Sequence, residues 1–598
     1  MCGWKSLAAA AILSSTVMAA QEYDPYYAIA EFTGNMSPEE MDAGDAERLE
    51  DYLSRPLKIN MVNHSRLRES GLLTHYQIVS LIDYRNRHGD ILSLTELSAV
   101  DGFSQDFVRR LAPFISLSSS RAAGQTVSAL KRVYQEADLK AGVKANEGTK
   151  GSYALRYRIE TGESVQASIA LSQSYGSERP DAVTGNLLWQ FKRHPSKLVA
   201  GDFNARFGQG LALWNGMGMS GYVKPSSFLK RSATVSPSGS FTGNYAFRGL
   251  AMESLFGRFR LAAMAAITDS ADGPGFLPGA NLSWLWRNGQ AGLTHYLQYS
   301  SLSSGSVIED MKTSFDLAFT VRGVDGFSEF AYDWMARSAA VLAGAVFPAG
   351  DDISMAAMLR YYPSAFNPAY SSAVRSLTKC SNEYASSFSA EFTSGAWLKK
   401  NGAEGFGANV RRMEGAFCAD AAYFPESKSD DGTESFQIKS LLELKIMPSG
   451  AVGMSLRVNE RFRTWGKPFR TDIRMEVFTY SRYFDGTFRA NAVRCDGLSF
   501  LVYAEGCLKK GSLKAYLRSG VFCADSWDDR IYAYERDVPG SFNVPAFYGR
   551  GVWASLTGNW RFARWGRVYA RLSVTEYPFN EKKKPGKAEL KLMLKIEI

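Results

Sequence analysis

Leu97 to Ile115, LSAVDGFSQDFVRRLAPFI, is the stretch whose residue types and spacing point most directly to chemistry. It reads as two short helices joined by a glycine turn at Gly102, with Ser104 capping the second and Arg109 and Arg110 one turn into it. A helix start aims unpaired backbone N–H groups outward, and nearby guanidiniums add charge, so such a turn can hold a phosphate. A similar turn at Gly71 leads to Thr74, which forms a capping box with Gln77 three residues on.

Little else suggests covalent or metal chemistry. His64, His75 and His88 have no cysteine or carboxylate spaced with them as a metal set, and His194 and His295 are too isolated to serve as a catalytic base. No nucleophile elbow, Ser–His–Asp order or carboxylate pair stands out, so the expectation is a non-enzyme without cofactor or metal. GMGMSG, Gly216 to Gly221, matches the dinucleotide fingerprint by letter, but it lies between irregular segments with no βαβ unit and reads as a loop. Cys495, Cys507 and Cys523 fall in adjacent strand-like segments and match no zinc spacing; with Cys2 lost in a leader, an odd number of thiols remains. A net charge of +9 over 598 residues suits contact with a polyanion without requiring it.

These residues need elements to position them. Residues 1–20, with Lys5, a short apolar run and small residues before Gln21, read as a signal peptide. Residues 21–44 read as a flexible acidic segment. The acids continue to Asp51 (Glu39, Glu40, Asp42, Asp45, Glu47, Glu50 and Asp51), and a helix is expected at about Asp45 to Leu53. Over 45–121 the apolar period is helical, with starts at Asn63, Thr74 and Ser104 and turns at Gly71, Gly89 and Gly102, which describes tandem helix-hairpin-helix units.

Beyond about Val133 the period becomes two. Tyr153, Leu155, Tyr157 and Ile159 alternate with Ala154, Arg156, Arg158 and Glu160, and the chain ends in KAELKLMLKIEI with the same rhythm. Strands of roughly ten residues are long enough to cross a bilayer at a barrel's tilt, and closure removes the edge that so regular a last strand would expose. The fold class is therefore α + β: a small all-α domain, then a large antiparallel transmembrane β-barrel over 122–598 with about 20 to 26 strands. Residues 208–244, and secondarily Glu535 to Gly551, are too rich in Gly and Pro for regular strands and are candidates for a plug or long loop. The strand-borne bases Arg156, Arg158, Lys439, Arg457, Arg474, Arg571, Lys591 and Lys595 would line either a mutually paired lumen wall or an anion-favouring path.

KINMVNHSRLRESGLLTHYQIVSLIDYRNRHGDILSLTELSAVDGFSQDFVRRLAPFI resembles the tandem helix-hairpin-helix domain of ComEA-type competence proteins, exported receptors for double-stranded DNA. GDFNARFGQGLALW with YERDVPGSF resembles a family of Gram-negative outer-membrane barrels that carry this domain ahead of the barrel. The first resemblance implies DNA-phosphate binding by Gly71, Thr74, Gly102, Ser104, Arg109 and Arg110. The chain departs from the usual Gly-apolar-Gly hairpin at Leu73 and Ser104, and Asp101 and Asp106 would repel a phosphate. Together the resemblances imply an outer-membrane protein in contact with outer-membrane lipids, its helical domain in the periplasm under the pore. There it would bind or pass DNA or another polymer, or dock a periplasmic protein as a scaffold.

Overall fold

Val133–Asn146 shows how the wall is built: Glu136, Asp138 and Lys140 point inward and are buried, while Leu139 and Val143 point outward and are exposed. In this computed structural model the described residues are 25–118 and 133–598, except 147, 163, 192–193, 217, 242–244, 271–272, 303–304, 351, 395–411, 430–431, 449–450 and 581–583. The expected signal peptide and the boundary near residue 121 lie outside them. Each strand pairs antiparallel with its neighbours, and the last, Lys587–Glu597, closes on the first, from Ala588 opposite Ala145 to Glu597 opposite Glu136. Among the described residues 24 strands complete the cylinder, with the short Thr234–Pro237 laid beside Ser196–Arg206. All five cysteines of these residues are free thiols.

The outer face is apolar from strand to strand, as at Leu155, Ile169, Leu293, Phe330, Leu442, Leu517 and Leu592. Aromatic clusters lie toward the strand ends, including Trp189 with Phe191 and the row Tyr361, Tyr384 and Tyr423. A continuous apolar belt is unstable in water, whereas a closed ladder leaves no backbone group unpaired against hydrocarbon. The strands are membrane-spanning. Tight turns such as Arg287-Asn288 and Arg322-Gly323 lie on the rim where the first strand begins and the last ends, and the long connections 207–246, 363–382 and 525–548 leave the opposite rim.

Among the described residues the N-terminal region forms six α-helices: α1 Pro25–Thr33, α2 Ala43–Ser54, α3 His64–Glu69, α4 His75–His88, α5 Leu94–Leu97 and α6 Gln105–Leu111. Asp42, Asn63, Thr74, Ser93 and Ser104 each accept a backbone N–H at the following helix start. A short parallel pair, Leu57–Lys58 with Ile115–Ser116, ties the two ends of this unit together. Two expectations are corrected. The stretch expected to be flexible is folded from Pro25 onward, because Tyr26, Ile29 and Phe32 enter the same apolar core as Leu49, Leu81 and Phe114. The helical unit also does not hang below the barrel; it sits in the lumen, with α1 and α2 deep and α4 to α6 at the turn-rich mouth.

Two of the long connections and part of the third fold inward and share that space. Residues 207–241 and 363–382 pack an apolar cluster of Phe203, Phe207, Leu213, Phe228, Tyr296 and Phe366 against one side of the wall. Residues 531–547 meet the helices through Tyr534, Phe542 and Val544. Replacing outward Leu592, at mid-strand, with Arg should lower unfolding stability in lipid vesicles by about 2–4 kcal/mol. Leu92→Arg, on the exposed turn after α4, should leave it unchanged; equal effects would mean that Leu592 does not face lipid.

Candidate functional site

The site is the interface between the helical plug and the lumen wall. On α2, Glu47 and Asp51 are one turn apart, on one face, and they meet Arg156 and Arg158, alternate residues of one strand. A helical i,i+4 step rises about 6 Å and a two-residue strand step about 7 Å, so the two rows stay in register. Arg156 Nη1 lies 3.3 Å from Glu47 Oε1, and Arg158 Nη2 2.9 Å from Asp51 Oδ2. The same acidic run continues around the wall. Arg206 Nη1 reaches Asp45 at 2.7 Å, Arg457 pairs with Glu40, and Arg489 Nη1 and Arg474 Nη1 reach Glu39 at 2.6 and 3.4 Å. Burial pushes the Glu39 carboxyl up, but Arg474 and Arg489 outweigh it and hold it well below the usual carboxylate range. Glu31 behaves alike: Arg109 overcomes burial and the carboxyl titrates at about 2.

The plug's own bases meet acids of the wall. Arg55 Nη1 lies 3.4 Å from Glu160, and Arg110 Nη1 3.4 Å from Glu391. Arg109 pairs with Glu31 at 2.5 Å and Asp106 at 2.8 Å. The two arginines expected to hold phosphate are thus engaged by carboxylates. The remaining residues of that set are dispersed. Gly71, at φ +63°, turns beneath Arg48, which donates to the Ser70 carbonyl. Thr74 caps α4 toward the inward-folded loop, Gly102 is exposed at the mouth with φ +83°, and Ser104 caps α6. Sequence spacing placed the caps; it did not bring the six residues onto one surface.

Loops and plug are joined by backbone contacts that the sequence did not advertise. Glu329, on a wall strand, accepts the N–H groups of Gln209 (2.7 Å), Leu211 (3.0 Å) and Ala212 (3.2 Å), which pins the inward turn of GQGLA. Gly34, at φ +73°, lies so close to Ser227 that an added Cβ would fall 2.0 Å from its Oγ, which itself donates to the Thr33 carbonyl. A cavity of about 120 Å³ remains beside α1, lined by Tyr27, Glu31, Lys224, Glu476, Tyr503 and Arg518 among others. Arg206, Arg489 and Glu329 were missed in the sequence. The available signal was the run of acids up to Asp51, opposite in sign to the basic strand faces.

His64 and His75 face one another with ring centroids 6.5 Å apart. Burial, and then Arg68, lowers both from 6.5 to about 3. His75 Nε2 bonds the Trp286 carbonyl at 2.9 Å and Nδ1 bonds Arg68 at 2.8 Å, which is the pattern of a neutral ring.

No protein-family model matches the chain, and no curated protein matches it. Similar solved structures are the P pilus usher PapC translocation pore (9% identity, 78% of this chain and 99% of that one, TM-score 0.36) and the siderophore receptor PirA from Pseudomonas aeruginosa (7%, 78% and 81%, TM-score 0.39). OccK11 (OpdR) from Pseudomonas aeruginosa overlaps 78% of this chain and 95% of its own at 7% identity and TM-score 0.29.

Removing Asp51 takes from buried Arg158 its nearest counter-ion and leaves Glu136 at 3.8 Å, and weakening a buried ion pair is destabilising. Asp51→Asn should therefore speed protease cleavage within the plug, and Asp51→Arg with Arg158→Asp should restore protection; no difference between single and double variants would show that this pair does not hold the plug against the wall. A second expectation concerns pH. Unfolded histidines take a proton below about 6.5 and the folded pair only near 3, so their stabilisation is complete above 6.5 and lost as pH falls toward 3. Plug proteolysis should rise across that window, and rise less in His75→Gln.

Proposed function

We propose that this protein is an outer-membrane barrel, closed by its own helical plug, that binds and passes an anionic polymer, with double-stranded DNA one such cargo. One observation carries the reading: the plug's acidic residues Glu39, Glu40, Asp45, Glu47 and Asp51 occupy arginines of the lumen wall, as an anionic cargo would. Once the plug moves, Arg156, Arg158, Arg206, Arg457, Arg474 and Arg489 form a basic path, and rings of such residues favour anions. Most tight turns and both barrel ends lie on one rim, which also carries the connection 394–411, and the connections 207–246, 363–382 and 525–548 leave the other; this follows the arrangement in which the first rim faces the periplasm. On this reading the helical module enters from the periplasmic side, and its Arg109 and Arg110 reach DNA phosphates only after release. The role is non-enzymatic.

A second reading, a scaffold whose helical unit docks a periplasmic protein, is favoured by the exposed Arg87-His88 end of α4 and by Leu92, 74% exposed at the mouth.

In planar bilayers the full chain should be nearly closed. The Glu39→Gln, Glu40→Gln, Asp51→Asn variant should open to an anion-selective conductance that duplex DNA blocks, less so as salt rises. Cation selectivity, or a closed pore in a variant whose plug has become protease-accessible, would refute the proposal.

A further inference from the structure

Most charges in the lumen are paired, but one group of cations is not. Arg68, on α3, is 3% exposed; its Nη2 bonds neutral His75, its Nη1 reaches Gln290 at 3.5 Å, and its Nε has no partner. Behind it Arg260, 2% exposed, leaves Nε and Nη1 without partners. Lining the same cavity from the inward-folded loop is Arg231, whose guanidinium lies over Phe32 and Phe107 at 4.7 and 5.5 Å, also with an orphan Nε. Lys230, beside it, donates to the Ser372 carbonyl. Among the described residues no carboxylate forms an ion pair with Arg68, Arg231 or Arg260; Glu253, Asp316 and Asp325 act on them only from farther off.

Burial and the neighbouring Arg260 push Arg68 well below its ordinary value, and burial with Arg110 and Arg48 brings Arg231 down to about 10. Such a group is costly unless an anion completes it. Arg68, Lys230 and Arg231 line one cavity of about 40 Å³, room for roughly three waters or one tetrahedral oxyanion. Thr74, the cap of the 14-residue α4, and Tyr76 in its first turn also line the cavity, beside the positive end of the helix dipole.

We propose that this cavity is a binding site for a phosphate-class oxyanion, held chiefly by Arg68 and Arg231 at the seam between plug, inward loop and wall. The bound anion would fasten plug to loop, and the site stands whether or not a polymer passes the barrel. Its anion is either free phosphate or the phosphate of a lipid headgroup.

The test uses the full chain. In detergent, calorimetry with inorganic phosphate at fixed ionic strength should show saturable binding of one anion. Loss of a charged hydrogen bond in Arg231→Gln should weaken it at least about tenfold, while Arg287→Gln, at the exposed mouth, leaves it unchanged. In phosphate-free nanodiscs, replacing phosphatidylcholine by phosphatidylglycerol should slow plug proteolysis in the parent chain but not in Arg231→Gln if a headgroup is the source. An Arg231-dependent response to either probe supports the site and identifies the source. A heat-shifted gel band confirms that each variant barrel is folded, and with folded barrels the absence of any Arg231-dependent response to both probes overturns the proposal.

Discussion

Charge neutralisation inside a wide cylinder is the constraint on which the rest of this structure depends. A barrel of this width leaves space that wall side chains alone cannot fill. Its inward faces carry arginines, and an unpaired charge in a space partly cut off from water is expensive. Some wall charges pair with each other, as Arg360 does with Glu383 and Asp420. Others face a void unless something acidic enters it. The run from Glu39 to Asp51 does so, and it supplies counter-ions to buried Arg457, Arg489 and Arg206.

Apolar packing alone would not settle where the plug sits. The helical unit has its own core, built on Leu49, Leu67, Leu81, Leu111 and Phe114, and contributes few large apolar side chains to the wall itself. Position and register come from pairs at many points around the cylinder. The inward loops add a second restraint: Ser227 against Gly34, and Tyr534 against Tyr26 with ring centroids 5.3 Å apart. A body held by many separate polar contacts can be firmly seated yet released together once those contacts are exchanged for others. An apolar-cored plug that keeps its own fold suits that behaviour.

The two functional proposals draw on opposite features of one lumen. Passage of an anionic polymer rests on charges that are matched now and would be exposed on release. The oxyanion site rests on Arg68 and Arg231, which remain unmatched with the plug in place.

Local pattern in the sequence determined the elements. The two-residue rhythm from Val133 onward and the regular last strand called for a closed antiparallel barrel, because only the face alternation and the loss of edges make such strands stable. The caps at Asn63, Thr74 and Ser104 depend on residues three apart and could be read directly. Where the helices sit could not. Arg158 meets Asp51 across 107 positions and Arg489 meets Glu39 across 450, and no local period encodes such a pairing. Sequence showed a run of acids and a set of basic strand faces; tertiary structure alone decided that each was the other's counter-ion, because that choice depends on which groups burial forces together.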